Sequence, residues 1–214
     1  MKVYTIIAGV NGVGKSSLTG VLSRVRSDLG MIIDTDGIEA TPRIETCLDA
    51  GVNFTQENTL SGVRTLKTVQ AARARDYRIN LYYVAVSSAE ESLERIANRV
   101  RKGGHDIPEE DVRRRYNNRF ADLLKILPYC DTAQFYDNEN GFQFVAEFRN
   151  GALLQVGGYC PKWLSELSEK LVLAWDSDFT KVTEAEREQI KHAEESGFVS
   201  DEDIDWDNLQ KYDC

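Results

Sequence analysis

The sequence predicts an α/β fold of the P-loop NTPase and kinase-like kind, in three layers, with a mainly parallel central sheet, a helical lid and a C-terminal β-hairpin. Three observations carry this expectation. Gly9-Val10-Asn11-Gly12-Val13-Gly14-Lys15-Ser16 satisfies G-x-x-x-x-G-K-[ST] in full, between a strand-like run and a helix-like one. Apolar, β-prone runs then alternate with amphipathic ones, as in a parallel sheet covered by helices. Further on, two β-prone runs flank Arg149-Asn150-Gly151, and Asn-Gly is the strongest short hairpin signal.

Val3 to Ala8 is short, mostly apolar and closed by glycine, so it reads as a buried strand. From Lys15 to about Arg26, Leu18, Val21, Leu22 and Val25 recur at helical spacing. Met31-Ile32-Ile33 reads as a second strand, closed by Asp34-Thr35-Asp36-Gly37. Leu60 to Arg75 reads as a helix, with Leu60, Val63, Leu66, Val69 and Ala72 on one face. Ile79 to Val86 reads as a third strand, and its near-continuous apolar character suits a sheet covered on both faces. Ser88 is placed to cap a helix that runs through Arg101 and stops at Gly103-Gly104. Pro108-Glu109-Glu110 opens a helix reaching about Leu127, and Thr132 to Tyr136 is the fourth expected strand. Phe142 to Val156 is the hairpin, Pro161 to Leu173 a closing helix, and Thr183 to about Glu195 a further helix in a polar tail.

Two domains are expected: a P-loop kinase domain over residues 1–174, with its lid at about 99–116, and a partly helical or flexible tail over 175–214. The net charge of −9 sits in that tail, which carries 13 acidic and four basic residues and leaves the body neutral. Such a balance argues against nucleic acid as the main partner, because phosphate backbones call for basic patches. No apolar run approaches the ~18 residues of a membrane helix. The glycine turn after Ala8 is wrong for a signal peptide. Cys47, Cys130, Cys160 and Cys214 show no paired or metal-binding spacing and read as reduced thiols of a cytoplasmic protein.

Gly9 to Ser16 is the binding element for a nucleoside triphosphate. Its glycines let backbone N–H groups of the loop, up to Ser17, converge on phosphate oxygens at a helix amino terminus. Lys15 would reach the β- and γ-phosphates and Ser16 would ligate Mg²⁺. An N/T-K-x-D guanine-reading signature is absent, and Leu60-Ser61-Gly62 lacks the Gly-Gln that follows in a transporter ATPase signature. The run Ile79 to Val86 ends in Ser87-Ser88, with no acid in the usual Walker-B position. A kinase whose acids sit elsewhere is therefore favoured. Asp34 and Asp36, after the second strand, are both open as the base that takes the acceptor proton. Glu57, Asn58 and Thr59 read either as a helix start or as contacts to a polyol or sugar. Arg95, Arg99 and Arg101, then Gly103-Gly104-His105-Asp106-Ile107-Pro108, then Arg113, Arg114 and Arg115, suit a lid closing over triphosphate. The alternative is a solvated hairpin with Glu94, Glu109, Glu110 and Asp111 as salt partners.

Taken in order, the phosphate loop, Glu57-Asn58-Thr59-Leu60-Ser61-Gly62, Arg99 to Pro108 with its Gly-Gly-His-x-Ile-Pro core, Arg114-Arg115-Tyr116 and Tyr136-Asp137-Asn138 resemble the zeta-toxin family of P-loop kinases. The resemblance covers roughly residues 1–172 and is most similar to a branch of short bacterial predicted ATPases. It implies transfer of the ATP γ-phosphate to a hydroxyl of a small metabolite, in known members a UDP-activated amino sugar, with a partner antitoxin holding the enzyme silent. It puts the base on Asp36, substrate contacts on Glu57 and Thr59, lid arginines among Arg99, Arg114 and Arg115, and the nucleobase near Asn138. Asn58 departs from the Glu-Thr-Thr usual in this branch. Two other readings stay open: an ATP-binding regulatory protein or ATPase without a small-molecule acceptor, and a polynucleotide kinase.

Overall fold

The computed structural model describes residues 1–34, 40–149 and 152–179. Seven strands are found among them: β1 (Val3–Ala8), β2 (Met31–Asp34), β3 (Phe54–Asn58), β4 (Arg78–Ala85), β5 (Thr132–Asp137), β6 (Gln143–Arg149) and β7 (Ala152–Gln155). Six α-helices accompany them: α1 (Lys15–Val25), α2 (Ala40–Ala50), α3 (Arg64–Arg73), α4 (Ala89–Arg101), α5 (Glu109–Ile126) and α6 (Lys162–Phe179). The strands form one sheet in the order β2-β3-β1-β4-β5-β6-β7. The first five are parallel, and β6 and β7 run antiparallel. This is the α/β P-loop kinase-like layout, with the expected hairpin at one edge. Asn150 and Gly151, the turn that prompted the hairpin, lie outside the described residues.

β1, six consecutive buried residues, lies inside the sheet, flanked by β3 and β4. Alternation sends Tyr4 and Ile6 to one face, where they join Phe54, Leu81 and Phe135 and side chains of α2, α3, α5 and α6. Ile7 and Val84 point to the other, against Leu18 and Leu22 of α1. Burying each such aliphatic side chain contributes roughly 1.5–3 kcal/mol.

Two elements depart from expectation. β3 and α2 were not anticipated, and β3 displaces the start of the helix expected from Leu60. That helix begins only at Arg64, with Val63 as its N-cap and no side-chain cap bond, so neither Asn58 nor Thr59 caps it. Asn58 instead turns the chain, its Oδ1 accepting the Leu60 N–H at 2.5 Å, and Leu60 takes a left-handed φ of 61° while fully buried. The Ser88 cap forms as expected, with the Glu91 N–H donating to its hydroxyl at 3.1 Å. The chain divides into a unit Met1–Leu171 and a second, Val172–Cys214, of which only the end of α6 is described. The helix expected from Thr183 lies outside the described residues. Cys47, Cys130 and Cys160 are free thiols, and no helix among the described residues is long and apolar enough to cross a membrane.

Candidate active site

The phosphate loop leaves the carboxyl end of β1 and enters α1. Its backbone demands glycine at specific points: Gly9 has φ 143° and a Cβ there would lie 2.2 Å from the Val84 carbonyl oxygen. Gly14, with φ 99°, would bring a Cβ within 2.6 Å of Asn138 Nδ2. That amide donates to the Val13 carbonyl at 2.8 Å, so the segment after β5 clasps the loop. Lys15 Nζ donates to the carbonyls of Gly9 and Val10, each at 3.1 Å.

Glu57 supplies the acid that the end of β4 lacks. Ile79 to Val86 leads into Ser87-Ser88 without an acid, whereas the strand beside β1 on the other side is β3. Register sets Glu57 opposite Ile7, one residue before the loop-facing end of β1. Glu57 is 8% exposed and accepts hydrogen bonds from Ser16 Oγ and Thr19 Oγ1, both at 2.6 Å. Asp34 is its register partner on β2. Alternation sends both to one face, and both line the pocket of about 240 Å³ over Lys15, Ser16 and Ser17.

The lid segments reach this pocket unequally. Arg95 and Arg99, one turn apart on α4, both line it. Arg95 also donates to the Asn138 and Glu139 carbonyls and pairs with Glu91. Burial raises the Glu91 carboxyl above its ordinary range, against the lowering influence of Arg95. Arg99 donates to the His105 carbonyl at 2.8 Å and so holds the Gly-Gly-His turn. Arg115 reaches the loop from α5, its Nη1 donating to Asn11 Oδ1 at 2.7 Å, while its buried Nε has no partner among the described residues. Arg114 pairs with Asp111 on the exposed side of α5, away from the pocket lining. Asp36 lies outside the described residues.

A second and larger cavity, about 620 Å³, opens on the opposite face of the sheet. Its walls are α2, the β3–α3 turn and the start of α3, and Arg115 reaches into it. Hydroxyls and amides dominate the turn side: Gln56, Asn58, Thr59 and Ser61, with Thr59 and Ser61 oxygens 2.8 Å apart. Arg64 and Lys67 add positive charge. The structure thus separates two residues expected together: Glu57 lines the loop pocket and Thr59 the cleft. Arg95, named for the lid, and Asp34, left open as the base, both line the loop pocket. The i,i+4 spacing of Arg95 and Arg99 was the available signal for the first.

Known proteins resemble this chain in both sequence and fold. The zeta toxin family model matches residues 40–140. An uncharacterized protein of Haemophilus influenzae is 32% identical over 127 residues, which is 50% of this chain and 88% of that one. Among solved structures, a chain of the PezAT chromosomal toxin-antitoxin system of Streptococcus pneumoniae superposes with a TM-score of 0.53 at 16% identity, covering 81% of this chain and 87% of that chain. The AvrRxo1-ORF1:-ORF2 structure with ATP gives 0.52 at 15% identity, covering 80% of this chain and 63% of that one. The strand order, the intact phosphate loop and the family match over residues 40–140 agree, and the chain belongs to the zeta-toxin family of P-loop proteins.

Proposed function

We propose that the protein is an ATP-dependent kinase that transfers the γ-phosphate to a hydroxyl of a small metabolite held in the larger cleft. The observation that carries this reading is Arg115, which bonds the phosphate loop through Asn11 and also lines the cleft. A donor pocket and an acceptor-sized cavity joined by one guanidinium suit transfer between two bound molecules better than hydrolysis alone. The structure of the AvrRxo1 complex with ATP supports ATP as the donor.

In this reading the loop amides from Gly9 to Ser17 cradle the phosphates, and Lys15, Arg99 and Arg115 stabilise the charge that develops on the transferring group. Arg114, exposed in the described state, would join them only on lid closure. Asn138, already on the loop, lies beside the nucleobase. Mg²⁺ fits the residues present, since Ser16 Oγ is held by a buried carboxylate with Asp34 alongside; when bound it would neutralise β- and γ-phosphate charge. Glu57 orients Ser16 for that task. Asp36, two residues beyond Asp34, takes the acceptor proton.

Thr59, Ser61 and Asn58 offer hydrogen bonds to hydroxyls, and Arg64 and Lys67 favour an acceptor that also carries negative charge. A UDP-activated amino sugar meets that description. A partner antitoxin belongs to the same proposal, supported by the likeness to a toxin–antitoxin system, as does a cytoplasmic setting, supported by the free thiols.

The test is incubation with γ-labelled ATP and a small-metabolite extract. Labelled small molecules are expected, and Asp36→Asn should abolish them while ATP still binds. Free phosphate alone, or label only in RNA, would overturn the reading in favour of an ATPase or a polynucleotide kinase.

A further inference from the structure

The amino ends of the strands carry a site unlike the one at their carboxyl ends. β1, β4 and β5 are parallel, so a strand length of roughly 20 Å separates the two ends. Beyond the reach of α1, the sheet face over β4, β5 and β6 forms a groove of about 270 Å³. That is just below the ~300–1,000 Å³ of sites for drug-sized molecules, so its occupant is small.

The chemistry of the groove is one-sided. Most of its side-chain acceptors are already engaged by protein donors. Arg26 holds both Asp28 oxygens, at 2.9 and 2.5 Å, and keeps that carboxyl below the usual carboxylate range. Arg149 holds Glu147 at 2.7 Å. The Thr132 hydroxyl donates to Asn80 Oδ1 at 3.0 Å, and the Tyr136 hydroxyl to Gln134 Oε1 at 3.0 Å. The Tyr82 oxygen accepts from Arg26 Nη1 at 2.7 Å.

Several donors are left over. Asn80 is only 5% exposed, yet its Nδ2 has no partner among the described residues. The same holds for Gln134 Nε2 and for the Tyr82 hydroxyl proton. The side chain of Arg78, at the start of β4, makes no hydrogen bond or ion pair among the described residues, and its charge helps to hold the Asp28 carboxyl down. Three guanidinium groups face two carboxylates, so the groove is net positive. Asn80 Nδ2 is not sealed from solvent, so an acceptor can reach it through the groove.

We propose that this groove is a second ligand site, for a small oxyanion-bearing metabolite, separate from the phosphoryl-transfer site. Phosphate and carboxylate share the required chemistry: acceptors only, with negative charge to meet Arg78.

The experiment uses the full chain labelled with ¹⁵N, at constant ionic strength, titrated with inorganic phosphate and separately with acetate, with chloride as the control. The side-chain amide resonances of Asn80 and Gln134 report on the groove. Saturable shifts with one common Kd are expected, and whichever anion binds more tightly identifies the source. Arg78→Gln, at an exposed position, should raise that Kd at least tenfold while the Gly12 and Gly14 amides respond to phosphate as before. Asn80→Asp, which replaces the free donor with an anion, should abolish the shift at Gln134. Absence of saturation with either anion, an equal response to chloride, or an unchanged Kd in Arg78→Gln would overturn the proposal. Failure of the kinase reading leaves these outcomes untouched, because no residue of the groove belongs to that site.

Discussion

The loop pocket and the larger cleft, proposed as donor and acceptor sites, are built by different means. The first is made of consecutive residues whose backbone does the binding, braced at fixed points: Glu57 on Ser16 and Thr19, Asn138 on Val13, Arg115 on Asn11. The second is made of side chains from α2, the β3–α3 turn, α3 and α5, and its size depends on how those elements stand apart. A site of the first kind accepts one shape of ligand wherever the loop is formed. A site of the second kind is re-cut by any change in its walls. Donor identity should therefore resist substitution outside the loop, and acceptor identity should not.

The sharpest way to break that contrast is Lys15→Ala. Its amine is the only cation inside the loop motif, so loss of labelled product by about 10³-fold or more is expected in the γ-phosphate assay. Glu57→Gln comes next. It preserves volume but removes the charge that holds two hydroxyls, and hydrogen bonds to charged groups are worth about 1.5–3 kcal/mol. Turnover should fall about 10- to 100-fold, with a raised Mg²⁺ requirement measured by titrating the metal. If the acceptor KM changed and the Mg²⁺ dependence did not, Glu57 would belong to the cleft after all.

Glu57 also marks where the sequence was readable and where it was not. The phosphate loop is legible because its function lies in contiguous backbone, and β4 because eight residues of mostly apolar, β-prone character leave little choice. β3 reads Phe-Thr-Gln-Glu-Asn, and no propensity marks that as a central strand. Pairing on both sides overrides composition there: Thr55 donates to the Leu29 carbonyl, and Gln56 meets the Tyr4 hydroxyl. Once β3 is missed, the loop lacks an acid beside it and Glu57 is read with Thr59, although the strand ends at Asn58 and the turn there carries Thr59 into the cleft. α2 was recoverable. Ala40, Ile44, Cys47 and Leu48 are buried at helical spacing, and Pro42 sits in the first turn, where proline is tolerated. The cleft could not be read from local pattern at all, since its walls meet only in the folded chain.

Arg115→Lys tests a residue that bonds the loop and lines the cleft. Lysine keeps the charge but loses the fork that can hold Asn11 and still face the cleft. The KM values for ATP and for the acceptor should both rise, by about 3- to 10-fold, corresponding to roughly 1 kcal/mol. A rise confined to ATP would assign Arg115 to the donor side alone.

The smallest effect, and the most selective, is expected from Thr59→Val. The substitution is nearly isosteric and removes only the hydroxyl that lies 2.8 Å from Ser61 Oγ at the exposed mouth of the cleft. Solvent reaches the position, so no buried group is orphaned and the melting temperature should not move. A hydrogen bond to a neutral acceptor hydroxyl contributes about 0.5–1.5 kcal/mol, which predicts an acceptor KM raised about 2- to 10-fold with the ATP KM unchanged. Steady-state kinetics with one substrate varied at a time read both constants. An equal rise in the ATP KM would mean that the β3–α3 turn also sets the geometry of the loop, and the two regions would then be one site rather than two.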